Sequence, residues 1–325
     1  FPRQAVPEAL RIAGVEAGDV DRVAVAQKVS VYQAEPVRWD GWFRGPEPLH
    51  PTYFERLSAW SAPLVGRFPM AWKAHHALKG LLSGERVRAI PTVLRDEFGI
   101  GAPVRFFDHH YCHAVGAYLT SGFEEALVVT LDGGGDGLSG SIYEGRRGRL
   151  RRLTAVDSFN SLGNVYSYVT ALCGFRAEKD EGKITGLAAL GQPKYAEILR
   201  RFVEYDGKGG IRYRVPMYHQ SAVRKIGEAL PEDFDRADLA ASIQLVLEEV
   251  GVEFVRYWVR KTGMTRVAVA GGVFANVKFN QRVHELDEVE EISVHPAMDD
   301  GGLSVGSALA ELSEVQDGRA AETVS

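Results

Sequence analysis

The sequence has few cysteines, no long apolar run and no strong excess of either charge. Its two cysteines, Cys112 and Cys173, lie far apart and outside any CxxC motif, which argues against a disulfide framework and a structural zinc site. A reducing cytoplasm is therefore the simplest compartment. No apolar stretch approaches the roughly 18 residues needed to span a bilayer, and the amino end lacks both a signal-peptide pattern and a methionine.

The formal net charge of −5 is small and is spread too evenly to suggest a nucleic-acid groove or a membrane-surface patch. The basic cluster at residues 146–152 is short, and we interpret it as a solvated hairpin. We therefore expect neither nucleic acid nor a membrane as a partner.

The chain is long enough for two lobes, since its 325 residues exceed the usual size of a single domain. We place the first lobe at residues 1–122 and the second at residues 123–325. A stretch at about residues 31–70 interleaves prolines with aromatic residues, among them Trp39, Trp42 and Trp60. Disordered segments contain few aromatic residues, so we predict an ordered insertion there, without an assigned function.

The second lobe begins with three short strands joined by glycine-rich turns, followed by alternating helices and strands. This order resembles the repeating unit of the actin, sugar-kinase and heat-shock ATPase superfamily. We therefore predict an α/β class with a duplicated actin-like (ribonuclease H-like) fold, its two lobes enclosing a nucleotide cleft.

A duplicated fold should open its first lobe with the same three strands, but this chain starts with a helix and one strand. About forty residues of sheet would then be missing, which leaves an exposed sheet edge. We expect these strands to be trimmed, absent from the gene product or supplied separately.

A pair of histidines, His109 and His113, stands four residues apart, and hence on one face of a predicted helix. Two imidazoles at this spacing can chelate one cation. The alternative is a pair of exposed or core histidines without a ligand. Their position at a strand-to-helix junction favours a site, because helix amino termini also attract anions such as phosphate.

A glycine-rich turn follows an apolar strand at Asp132, Gly133 and Gly134. Glycines let the backbone approach a phosphate closely, and an aspartate at a strand end can hold a metal ion or its water. A plain hairpin turn would explain one or two of these glycines, but not four within five positions.

Two further turns join a strand to a helix. Gly271 and Gly272 could cover a nucleoside, and Asn276 could hydrogen-bond its ribose or base. Asp299 or Asp300 could simply cap the following helix. In the predicted fold, however, this carboxylate reaches the same cleft, and two histidines with one carboxylate suit Fe(II), Mn(II) or Zn(II).

The motifs together resemble the O-carbamoyltransferases of nodulation-factor and antibiotic biosynthesis, including the tobramycin and cephamycin enzymes, a family related to the tRNA threonylcarbamoyl-adenosine transferases. The resemblance covers nearly the whole chain except residues 31–70. It is carried by the blocks DHHYCHA, LDGGGDGLSGSIYEG, SLGNVYSYVTALCGFRAEKDEGKITGLAALG, AGGVFANVKFN and HPAMDDGG.

The resemblance implies a set of metal ligands, with Fe(II) or another divalent ion as the metal. They are His109, His113 and Asp300, with Asp132 as a fourth or water-mediated ligand. Asp300 is preferred to Asp299 because the carboxylate of the family stands two residues before the second glycine of this motif.

The resemblance also implies an adenosine site at Gly271, Gly272 and Asn276, assisted by Gly182. Lys183 would neutralise phosphate, or would instead form a surface salt bridge with Glu181.

By the same resemblance, the reaction is an ATP-dependent transfer of a carbamoyl group from carbamoyl-adenylate to an acceptor hydroxyl. The adenylate would be made from carbamoyl phosphate and ATP in a YrdC-like module, which this sequence does not contain. The catalytic base is unknown, because the family's candidates lie on the opening hairpin. A homodimer is compatible with the sequence.

Two other functions remain open from the sequence. A tRNA threonylcarbamoyl-adenosine transferase-like enzyme would share the lobes and the paired histidines, but it should carry a basic RNA-binding surface. A non-catalytic nucleotide-binding module would keep the ligands without turnover.

Overall fold

The computed structural model of the chain describes residues 2–28, 84–215 and 219–316. Helices and strands are mixed along these ranges, which confirms the predicted α/β class. The helices are α1 Ala5–Ala13, α2 Gly84–Phe98, α3 His109–Thr120, α4 Leu162–Leu172, α5 Glu181–Ala188, α6 Ala196–Leu199, α7 His219–Ala229, α8 Arg236–Thr262, α9 Val277–His284 and α10 Leu303–Gln316. The strands are β1 Val23–Ala26, β2 Val104–Phe107, β3 Glu125–Gly135, β4 Leu138–Arg146, β5 Arg149–Asp157, β6 Val203–Tyr205, β7 Ile211–Tyr213, β8 Arg266–Ala270 and β9 Glu291–Val294.

The main sheet has five strands in the order β5-β4-β3-β8-β9. Strands β3, β4 and β5 form an antiparallel meander, whereas β8 and β9 extend the sheet in parallel with β3. Parallel strands place their carboxyl ends at one edge. The turns that follow β3, β8 and β9 therefore lie on the same side of the sheet.

Strand β3 is buried on both faces from Ala126 to Leu131, where Thr130 is the one polar residue of an otherwise apolar run. Successive side chains point to opposite faces of a strand. Leu127 and Val129 accordingly pack into the large core with α4 and α8, whereas Ala126 and Val128 face α3. The small side chains on this second face leave room for α3 to lie close to the sheet.

Helix α3 also packs closely against α10. A Cβ atom at Gly306 would lie 2.0 Å from the carbonyl oxygen of Cys112, so this crossing requires a glycine. Cys112 and Cys173 are both free and buried, as expected from their spacing in the sequence.

A separate parallel pair, β1 and β2, runs in register from Val23 with Val104 to Ala26 with Phe107. Helix α10 packs on this pair and is tied to it by ion pairs. The buried carboxylate of Glu311 lies 3.1 Å from Arg22 and 2.8 Å from Arg105. The last described helix is therefore anchored on the strands nearest the amino end.

Several boundaries differ from the sequence predictions. The sequence FANVKFNQRVHEL predicts a helix across residues 274–286. The observed helix is shorter, because Gly272–Ala275 forms a 3₁₀ turn and α9 starts only at Val277. Helices α5, α6 and α7 and the hairpin of β6 and β7 were not predicted. The hairpin at residues 146–152 is confirmed, since β4 ends at Arg146 and β5 begins at Arg149.

The insertion at residues 31–70 lies outside the described residues. The sequence also predicts a helix near residues 72–97, and its first part lies outside them as well. The division into lobes at residues 1–122 and 123–325 stays a prediction. Within the described part of the chain, every helix is too short or too polar to cross a bilayer.

Candidate metal and nucleotide site

Side chains from three parts of the sequence meet where β3, β8 and β9 end. His109 and His113 lie on the first turns of α3, and Asp132 follows the last residue of β3 that pairs with β8, Thr130. Asp300 begins the 3₁₀ turn between β9 and α10. The structure thus brings together the four residues that the resemblance implies as metal ligands.

The four side chains point their donor atoms at one another. Oδ2 of Asp132 lies 3.0 Å from Nε2 of His109 and 3.3 Å from Nε2 of His113. Oδ1 of Asp300 lies 3.4 Å from each of the same two nitrogens. All four atoms fall within 4.8 Å of one another.

This spacing suits a divalent transition metal. Metal–nitrogen and metal–oxygen bonds of about 2.0–2.2 Å place neighbouring ligand atoms about 3.0–3.6 Å apart. The measured separations of 3.0–3.4 Å fall in that range. Two imidazoles with carboxylates are a donor set that binds Fe(II), Mn(II) and Zn(II), so the residues present fit the implied metal.

The electrostatics of the cluster favour a positive charge at its centre. Burial lowers the pKa of His113, but hydrogen bonds to Asp132 and Asp300 outweigh it and raise this pKa to about 9. Burial raises the pKa of Asp132, yet hydrogen bonds from His109 and His113 hold it well below its usual range. A cation bound between these groups would supply the charge that the carboxylates attract.

Two aspartates fix the start of α3. Asp108 caps the helix by accepting a hydrogen bond from the amide of Tyr111 at 2.9 Å. Oδ2 of Asp136 accepts from the amides of His109 at 2.9 Å and Lys28 at 2.8 Å. Asp136 therefore joins the segment after β1 to His109, the first residue of the cluster.

The role of Asp136 was missed from the sequence. Its Asp136–Gly137 pair, with φ of 49° and 84°, is a hairpin-turn signal. Nothing in that local pattern indicates the contact with Lys28, more than a hundred positions away.

The ring of His109 lies flat against the backbone of β3. A Cβ atom at Gly135 would stand 2.1 Å from Cγ of His109, a distance that no side chain can adopt. The third glycine of the motif is therefore required for the histidine to reach its position.

Asp132 links the glycine-rich end of β3 to the turn at Gly271 and Gly272. Its Oδ1 atom accepts hydrogen bonds from the amides of Gly133 at 2.7 Å and Gly272 at 3.3 Å. Gly271 has a φ of 104°, and a Cβ atom there would lie 2.1 Å from the carbonyl oxygen of Leu131, so only glycine fits. One carboxylate thus faces the paired histidines with one oxygen and the glycine turn with the other.

The remaining residues predicted to bind nucleotide lie in three places. Gly134 is exposed in the last part of β3, because the strand continues to Gly135 and the turn predicted at residues 132–134 is wrong. Asn276 is buried and caps α9 by accepting a hydrogen bond from the amide of Phe279. Gly182 is exposed on α5, where a Cβ atom would meet nothing.

Lys183 forms a salt bridge with Asp180 at 3.1 Å and lies over the ring of Phe175. The alternative salt bridge with Glu181 is therefore wrong. Glu181 instead accepts hydrogen bonds from Ser167 and from the amide of Glu178.

Comparison with known proteins agrees with these motifs. The Carbamoyltransferase N-terminus family matches residues 92–309, which is more than half of the chain and includes all four residues of the cluster. The chain belongs to this family. The family named from the sequence motifs is thereby confirmed.

Two relatives are nodulation proteins. NolO of Bradyrhizobium diazoefficiens is 36% identical over 212 residues, covering 64% of this chain and 38% of that protein. NolNO of Sinorhizobium fredii is 29% identical over 320 residues, covering 95% and 41%. The chain therefore spans about two fifths of the length of these two relatives.

A more distant relative is the tRNA N6-adenosine threonylcarbamoyltransferase of Verminephrobacter eiseniae. It is 26% identical over 211 residues, covering 60% of this chain and 55% of that protein. The predicted relationship between the two families is thus also found.

Proposed function

We propose that this chain forms the metal- and nucleotide-binding part of an ATP-dependent O-carbamoyltransferase. The observation that carries the proposal is the position of Asp132, whose two oxygens face the paired histidines and the Gly271–Gly272 turn. A cation and the phosphate of an adenylate bound at these two places would be neighbours. The higher identity to NolO than to the tRNA-modifying relative favours a hydroxyl acceptor over tRNA.

The side chains of the cluster would hold Fe(II) or another divalent ion. When bound, this ion supplies a Lewis acid that stabilises negative charge on the adenylate phosphate. His109 and His113 are held by α3, and Asp132 by the sheet, so three ligands need little reorganisation. Asp300 is the most exposed of the four, with 70% of its side chain accessible.

The nucleotide would lie along the glycine turns. The backbone of Gly133 and Gly134 would face the phosphates, and the turn at Gly271 and Gly272 would cover the adenosine, whose other wall is α5 with Gly182. Lys183 is exposed on α5 and would exchange its surface partner Asp180 for phosphate.

The proposed reaction moves a carbamoyl group between two oxygens. The acceptor hydroxyl loses its proton to a base, its oxygen bonds to the carbamoyl carbon, and the bond from that carbon to the phosphate oxygen breaks to release AMP. We assign this base to no described residue. Carbamoyl phosphate and ATP would supply the adenylate in a YrdC-like module, and the acceptor would be a small hydroxyl compound.

The proposal can be tested by mass spectrometry of acceptor compounds. The chain would be loaded with Fe(II) and mixed with ATP, carbamoyl phosphate and a panel of sugars and aminoglycosides, with and without a separately produced YrdC-like module. We expect an acceptor to gain one carbamoyl group when both proteins are present. The matched control is the His109→Ala/His113→Ala variant, which should give no product.

Two results would overturn the proposal. One is a carbamoylated product formed equally well by the double variant. The other is a folded, metal-loaded chain that binds neither ATP nor AMP in calorimetry.

A further inference from the structure

A buried network of polar side chains lies behind the Gly271–Gly272 turn. Asn276 and Gln244 form a reciprocal pair of amide hydrogen bonds, with Nδ2 to Oε1 at 2.8 Å and Nε2 to Oδ1 at 3.1 Å. The exposed fractions are 8% for Asn276 and 7% for Gln244. Side-chain amide pairs of this kind are costly to leave unpaired in a protein interior.

Each amide uses all of its hydrogen-bonding capacity within the protein. Oδ1 of Asn276 also accepts from the amide of Phe279 at 3.0 Å, and Nδ2 also lies 3.4 Å from Oγ1 of Thr185. Gln244 accepts a second hydrogen bond from Tyr166 and donates a second one to Glu248. An amide offers two donors and two acceptor positions.

This saturation changes the role expected of Asn276. A direct hydrogen bond to ribose or base would require Asn276 to break one of its four internal bonds. A broken bond inside the protein leaves a buried donor or acceptor without a partner, which opposes binding. The amide is therefore better placed to hold other groups than to hold the nucleotide.

The Asn276–Gln244 pair contacts the two walls of the proposed nucleotide subsite, which are the Gly271–Gly272 turn and α5. Asn276 ends the turn that contains Gly272 and begins α9. Thr185 lies on α5, one helical turn after Gly182, and its hydroxyl bonds both Asn276 and Tyr166. Gln244, on α8, bonds Asn276 and accepts from Tyr166, and so joins α8 to the same network.

We propose that Gln244 is a positioning residue for the nucleotide subsite, and that Asn276 acts through the amide pair rather than by contacting the nucleotide. The inference rests on the proposed nucleotide-binding function. The pair fixes the distance between α5 and the Gly271–Gly272 turn, so that a nucleotide meets walls already in place.

The test is a double-mutant cycle on ATP binding, measured by calorimetry with the metal-loaded chain. Gln244→Met removes the amide at similar size, and Asn276→Ser keeps an oxygen that can cap α9. We expect each substitution to weaken ATP binding about tenfold, and the double variant to be no weaker than either single one. Gln281→Met is the control, since Gln281 is an exposed residue of α9, and it should bind as the unsubstituted chain does.

A second measurement separates positioning from a general loss of structure. Hydrogen exchange of the nucleotide-free Gln244→Met variant should rise in α5 and in residues 272–276, while β3 keeps its protection. Metal content should not change. If Gln244→Met does not fold, Thr185→Val tests the same link, because it removes only the hydroxyl that reaches Asn276, and it should weaken ATP binding severalfold.

The outcomes distinguish this inference from the function on which it rests. If Asn276→Ser weakens ATP binding and Gln244→Met does not, Asn276 contacts the nucleotide and the inference is wrong. Additive losses in the double variant would contradict it equally. If the unsubstituted, metal-loaded chain binds no ATP, the proposed nucleotide subsite and the inference both fail.

Discussion

Two clusters of carboxylates lie beside helices α3 and α10, and they differ in the charged side chains that they contact. At one, Glu311 and Glu314 pair with Arg22 and Arg105. At the other, Asp132 and Asp300 face two histidines. Within the described residues, neither of these two aspartates has a lysine or arginine partner.

The difference shows which cluster has its negative charges balanced by its own side chains. Two fixed cations balance two carboxylates beside β1 and β2, so that cluster serves to anchor α10. The histidine cluster has the same two negative charges, but its positive charge must come from protons or from a bound ion. Asp132 and Asp300 therefore suggest a metal site because, among the described residues, they face histidines and no arginine pairs with them.

The largest expected effect follows from removal of both imidazoles. The His109→Ala/His113→Ala variant should lose metal affinity by more than about 100-fold, since ligands count for more than the outer-shell contacts that already change affinity 10–100-fold. Elemental analysis of anaerobically purified protein measures this loss. Near-stoichiometric metal in the double variant would contradict the proposal that the histidine cluster binds the metal.

A substitution that removes no ligand should have the next largest effect. Gly135→Ala would place a methyl group 2.1 Å from Cγ of His109 and push the ring away, so metal affinity should fall about 30-fold. Gly134→Ala is the matched control, because its methyl group would meet its nearest atom, Cβ of Ser158, at 3.4 Å. Equal metal affinity in the two variants would show that the His109 ring needs no such space.

A substitution in the cluster of Glu311, Glu314, Arg22 and Arg105 should lower the stability of the protein and leave its metal binding unchanged. Glu311→Gln removes the carboxylate that Arg22 and Arg105 share, but Arg105 keeps its ion pair with Glu314. Both arginines are also partly exposed and can be hydrated. We expect the free energy of unfolding in urea to fall by about 1.5 kcal/mol. The metal content should stay unchanged, and a loss of metal would contradict the separation of the two clusters.

The smallest effect is expected at the most exposed ligand. Asp300→Asn removes one charge from the cluster, but solvent screens this position and Asp132 remains, so metal affinity should fall only about fivefold. Asp299→Asn should have no effect, because Oδ1 of Asp299 accepts a hydrogen bond from the amide of Gly301, as an Asn oxygen also can. A larger loss from Asp299→Asn in a metal titration would reverse the assignment.

The sequence allowed much of the cluster of His109, His113, Asp132 and Asp300 to be predicted, because local rules govern the positions of these residues. Helical periodicity places His109 and His113 on one face. An aspartate directly after an apolar run is expected where a strand leaves the core, and Asp132 lies just beyond the part of β3 that pairs with β8. The arrangement of β3, β4 and β5 followed from glycine-rich turns between short apolar runs.

The nucleotide side was harder to predict because long-range contacts decide it. The sequence predicts a helix that begins at Phe274. In the structure a 3₁₀ turn follows Gly271, and α9 begins only at Val277. Gln244 stands in the middle of α8, where a lone glutamine carries no local signal. Its pairing with Asn276 appears only in three dimensions.

We propose that Asp132 links the metal cluster to the nucleotide subsite. Calorimetric titration of AMP into the chain with and without Fe(II) tests this link most directly. AMP is the better probe because, unlike ATP, it is not usually bound as a magnesium complex. We predict that the metal-loaded chain binds AMP at least about fivefold more tightly than the metal-free chain, and that His109→Ala/His113→Ala abolishes this difference. Equal AMP affinity with and without the metal would contradict the claim.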